Sequence, residues 1–101
     1  MTQTVLLEVQ LRDDVAQDTI DSAIRETLAQ TATFAGNESL EVLVDDSDPL
    51  HLVVLERWTT PADHDAYVAW RATDEGAPRA LAAIVAAPPV TRTFSRTLDL
   101  G

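Results

Sequence analysis

His64, Tyr67 and Arg71 stand three and seven residues apart, so on a helix they share one face. A histidine near its ordinary pKa takes a proton from a phenol or an activated carbon. A tyrosine holds a substrate oxygen, and an arginine stabilises a developing oxyanion. Trp58, just upstream, offers a flat surface for a planar ring, and Trp70 beside the same face suits a pocket wall or a dimer anchor. The competing reading puts His64 on the outer helix face, the aromatics in the core, and Arg71 in an ion pair with a carboxylate.

Other polar groups have plainer readings. Asp45, Asp46, Ser47 and Asp48 lack the glycine and later glutamate of a calcium loop and read as a hairpin turn. Two histidines and no cysteine leave no material for a His-rich or thiolate metal site, so no metal is expected. His51 alternates to the strand face opposite Trp58. Glu8 and Glu56, with Arg92 and Arg96 in the last strand, suit charge pairing across a sheet. No phosphate-binding glycine loop, nucleophile elbow or basic aromatic patch is present.

Periodicity supplies the elements that must hold these groups. Thr4 to Leu11 alternates, with Val5, Leu7, Val9 and Leu11 on one face: a strand. Asp14 and Gln17 resemble a capping box. It opens a helix whose stripe is Ala16, Ile20, Ala23, Ile24, Thr27, Leu28 and Thr31. Ala35-Gly36-Asn37 ends that helix. Ser39–Asp45 and Leu50–Trp58 form a hairpin. Thr60-Pro61-Ala62-Asp63 starts the helix carrying His64, which runs to about Arg71. A short Ala-rich helix over Arg79–Ala87 and a strand over Thr91–Leu98 complete the chain.

Strand, helix, strand, strand, helix, short helix, strand is the split β-α-β order of a ferredoxin-like α+β fold: a four-stranded antiparallel sheet with helices on one face. Leu52 to Leu55 is apolar on both strand faces. The helices cover one face, and a second copy of the chain is the expected cover for the other, giving a homodimer. Burying each large apolar side chain favours that pairing by ~1.5–3 kcal/mol.

A length of 101 residues is one domain, spanning 1–101. The net charge is -10, and all seven cations are arginine. Such a surface repels phosphate backbones and anionic lipid, so neither nucleic acid nor membrane is an expected partner. The first residues carry no basic segment followed by an apolar run, and a cytoplasmic location is the default expectation.

Glu56-Arg57-Trp58 closes an apolar strand ahead of a capped helix. Phe34-Ala35-Gly36-Asn37-Glu38-Ser39-Leu40-Glu41-Val42 precedes it, followed by the hairpin turn with Asp48-Pro49. In these motifs and their order the chain resembles the antibiotic biosynthesis monooxygenase family of dimeric α+β barrel proteins, over almost its whole length. The resemblance implies a sheet-to-sheet dimer and a pocket between sheet and helices. Oxygenase members oxidise aromatic polyketides there with molecular oxygen and no cofactor. Trp58 matches the family's pocket tryptophan, and Tyr67 occupies the position where many members have a helix histidine. The first strand, Leu6-Leu7-Glu8-Val9-Gln10, lacks the asparagine of haem-degrading members, which argues against that activity.

Two functions follow as expectations. One is a cofactor-independent monooxygenase acting on a small aromatic or polyketide-like substrate. There Trp58, Trp70 and Tyr67 meet the ring and its oxygen, His64 is the base, and Arg71 faces the anion. The other is a non-catalytic ligand-binding or interaction dimer on the same scaffold. It is motivated by the altered helix position and the missing asparagine.

Overall fold

The computed structural model describes residues 2–101. Its elements are β1 (Gln3–Gln10), α1 (Gln17–Thr33), β2 (Asn37–Val44), β3 (His51–Trp58), α2 (Pro61–Arg71), α3 (Arg79–Ala82) and β4 (Val90–Phe94). The strands form one antiparallel sheet in the order β2-β3-β1-β4, so the fold is ferredoxin-like α+β. No helix among the described residues is long and apolar enough to cross a membrane.

Alternation sets the faces. Val5 and Val9 of β1 and Leu52, Val54, Glu56 and Trp58 of β3 are buried under the helices. Ile20, Ala23, Thr27 and Thr31 of α1, spaced three or four apart, are that helix's buried stripe. Val9, Leu11, Ile20, Ala23, Leu52 and Ile84 form the packed core.

The helix starts differ in how they are made. At α2, Thr60 Oγ1 accepts the Asp63 backbone N–H at 3.2 Å, and Pro61 occupies the first turn, as the sequence predicts. At α1 the expected Asp14 cap is absent. Arg12 binds both Asp14 oxygens at 2.7 and 2.8 Å, and the helix opens from Ala16 without a side-chain cap. Gly36, at φ +92°, makes the turn after α1. A Cβ there would collide with the Asp63 side chain, so the glycine lets α2 begin against the turn.

Two boundaries contract. The Ala-rich helix stops at Ala82, short of the expected Ala87, because the chain beyond it is recruited by the end of β1. Ala86 N–H donates to the Gln10 carbonyl at 2.8 Å, Arg12 N–H to the Ile84 carbonyl at 2.9 Å, and Ile84 is buried. β4 ends at Phe94 and not at Leu98, because Phe94 pairs with Thr4 and the partner strand is nearly exhausted there.

The face of the sheet turned away from the helices carries Leu6, Val53 and Leu55 beside Leu43, Val90 and Phe94, the last three about half exposed (48%, 52% and 50%). Charged groups interrupt it. His51 Nδ1 lies 2.9 Å from Asp45, and Glu8 lies 3.8 Å from both His51 and Arg92. The cross-sheet pairing expected for Glu8 and Arg92 is therefore present.

Candidate active site

Between the sheet and the two long helices lies a cavity of about 250 Å³. Its far end is aliphatic, with Val9, Ile24, Leu52 and Leu81 among the lining residues. Glu56 from β3, Thr31 from α1, and His64 and Tyr67 from α2 give the other end its polarity. Helical spacing brings His64, Tyr67 and Arg71 to one wall, and strand alternation points Glu56 toward them.

His64 is 6% exposed and faces inward, so the outer-face alternative does not hold. Its ring lies 5.5 Å from Trp58 and 6.3 Å from Tyr67. Burial lowers its pKa, opposed by the charge of Asp65. Burial thus favours the neutral imidazole over its charged form.

Glu56 is 4% exposed. Burial raises its pKa, while the Trp58 N–H and the Arg71 charge act to lower it. Trp58 Nε1 donates to Glu56 Oε1 at 2.9 Å, and that is the side-chain hydrogen bond the carboxyl makes among the described residues. The reading of Glu56 as a partner of β4 arginines is corrected: it lies on the helix face, while Arg92 lies on the other. The signal was present in the sequence, since Glu56 falls in the same alternating set as Leu52, Val54 and Trp58.

Among the described residues Arg71 makes no carboxylate pair. Its guanidinium gives five hydrogen bonds to neutral oxygens: Tyr67 Oη at 2.7 Å, Gln30 Oε1 at 2.7 Å, Thr27 O at 2.9 Å, Gly76 O at 3.1 Å and Thr31 Oγ1 at 3.3 Å. Thr31 donates to the Thr27 carbonyl at 3.3 Å, which leaves the Tyr67 hydroxyl to donate to Thr31 across 2.7 Å. Thr27 and Thr31 were legible only as part of an apolar stripe; nothing in their spacing announces this network.

Trp58 is fully buried behind the polar end, packed on Phe34, His64 and Tyr67, and meets the cavity through Glu56. Trp70 lies further out, against Phe34, Tyr67 and the Arg71 guanidinium. Neither indole lines the cavity, whereas His64, Tyr67 and Arg71 all do.

Residues 2–76 match the antibiotic biosynthesis monooxygenase family model. No curated protein sequence matches the chain. Among solved structures, the chain is similar to Rv0793 from Mycobacterium tuberculosis (16% identity, all of both chains covered, TM-score 0.75). It is similar to a conserved protein from Methanosarcina mazei Go1 (14% identity, 96% of this chain and 94% of that one, TM-score 0.77). It is also similar to SnoaB, a cofactor-independent oxygenase from Streptomyces nogalater (18% identity, 98% of this chain and 96% of that one, TM-score 0.77). At these identities the likeness establishes the fold.

Proposed function

The chain belongs to the antibiotic biosynthesis monooxygenase family, and from that premise we propose that it is a cofactor-independent monooxygenase for a small hydroxylated aromatic or polyketide-like substrate. The observation that carries this reading is a buried imidazole at the polar end of an otherwise largely apolar cavity. His64 takes a proton from the substrate's hydroxyl or activated ring carbon. The carbanionic form of the substrate gives its electron pair to oxygen, forming a carbon–oxygen bond and a peroxide. The imidazolium returns its proton to that peroxide, and loss of water from the hydroperoxide leaves a carbonyl. Each oxygen molecule thus puts one atom into product and the other into water.

In this reading Arg71 stabilises the developing anion by its charge, since its N–H groups are already committed. Tyr67 supplies an aromatic surface at the polar end. Trp58 acts through Glu56 and His64, and Trp70 supports Tyr67 and Arg71 from outside. The active form is a homodimer in which a second sheet covers Leu6, Leu43, Val53, Leu55, Val90 and Phe94.

Oxygen uptake with hydroxylated anthrones and quinols tests the proposal. Turnover that falls about 10²–10⁴-fold in His64→Ala is the expected result. Uptake no greater than that of the variant, across both substrate sets, rejects the oxygenase and favours a binding dimer.

A further inference from the structure

The ordinary roles of the cavity's polar groups leave one carboxylate unexplained. Tyr67, Thr31 and Arg71 donate to one another or to backbone and Gln30 oxygens, so their hydrogen bonds are closed within the protein. Glu56 differs. It is set in the wall of the cavity, one oxygen is fixed by the Trp58 indole, and the second makes no hydrogen bond among the described residues. That oxygen faces the cavity, where a ligand hydroxyl can supply the donor it lacks within the protein.

We propose that Glu56, oriented by Trp58, grips a hydroxyl of the ligand on its free carboxylate oxygen, and so selects compact aromatic rings bearing a hydroxyl at one edge. This rests on the reading of the cavity as a substrate site and adds the group that decides which substrates it takes. The size follows from the cavity itself. At about 250 Å³ it lies below the ~300–1,000 Å³ of pockets that enclose drug-sized ligands. Compact fused-ring systems fit such a volume. The aliphatic end receives the unsubstituted side of the ring, and the hydroxyl points to Glu56. Glu56 is then the specificity-determining group, while His64 remains the base.

Anaerobic binding of 1-naphthol and 1-methoxynaphthalene at pH 8 tests this without requiring turnover. The two share a ring system, but only the first donates a hydrogen bond. The folded wild-type protein binds 1-naphthol at least about tenfold more tightly. Glu56→Gln keeps an oxygen for the Trp58 N–H and turns an amide N–H toward the ligand, so the preference collapses to about twofold or reverses. Glu56→Asp, which withdraws the carboxylate by one methylene, weakens 1-naphthol at least fivefold and leaves the ether unchanged; it serves as the readout if Glu56→Gln does not fold. A wild-type protein that binds the two equally, or a preference that survives in the variants, overturns the proposal. Glu56-dependent naphthol binding without oxygen uptake on any hydroxylated ring rejects the oxygenase and leaves this assignment standing. Oxygen uptake with a substrate preference unchanged in Glu56→Gln does the reverse.

Discussion

The Trp58 indole reaches back two residues along its own strand and donates to Glu56 Oε1 at 2.9 Å, with both side chains buried on the same sheet face. Residues i and i+2 of a strand point the same way, so the β3 backbone itself holds the pair in register.

Trp58→Phe keeps the aromatic body and removes the donor. Its cost is roughly 1–3 kcal/mol of stability from the unpaired carboxylate oxygen, read as a lower denaturant midpoint. Because the indole N–H is one of the groups lowering the Glu56 pKa, the Glu56 titration followed by NMR moves further upward.

The pH dependence of stability has two opposing parts. Glu56 has a folded pKa above its ordinary 4.5, so the native state holds its proton more tightly than the unfolded chain. Its destabilising contribution is absent below pH 4.5 and grows as pH rises through the folded value. His64 has a folded pKa below 6.5, so stability is lost as pH falls from 6.5 through that value. In denaturant titrations from pH 4 to 8, the stability of Glu56→Gln relative to the parent therefore increases with pH. The stability of His64→Gln relative to the parent increases on acidification below 6.5. A flat difference in either series contradicts the corresponding assignment.

Arg71→Leu removes five hydrogen bonds at once and leaves acceptors on α1, on α2 and in the turn at Gly76. Each acceptor left buried costs roughly 1–3 kcal/mol, with water recovering part of the loss at the exposed side. A fall in thermal midpoint is expected at high as well as low salt. The bonds go to neutral oxygens, so screening does not remove them.

Leu55→Arg puts a charge at the middle of the open sheet face, whose apolar members include Leu6 and Val53. Sedimentation at micromolar concentration is expected to give a dimer for the parent and a single chain for the variant. The far-ultraviolet spectrum stays unchanged, because the side chain does not enter the protomer's own core. A parent that sediments as a single chain refutes the homodimer.

The strands and both long helices were legible because each keeps one period throughout, and the Thr60-Pro61 start of α2 is local chemistry that no distant contact overrides. The ends of α3 and β4 were not, because they depend on where β1 runs out and on which carbonyls Arg12 and Ala86 find there. The wall occupied by His64, Tyr67 and Arg71 followed from helical spacing. Which donors are already satisfied did not follow, since Thr27, Gln30 and Thr31 approach Arg71 only when α1 packs beside α2. Glu56 illustrates a further limit. Its type suggested solvent or an ion pair, whereas its strand position dictated burial.

The guanidinium of Arg71 rivets α1, α2 and the loop behind them into one piece. Those two helices cannot part to admit a guest without breaking the Arg71 bonds to Thr27, Gln30 and Thr31 together. The wall that includes Pro78, Leu81 and Pro89 lies outside that clamp.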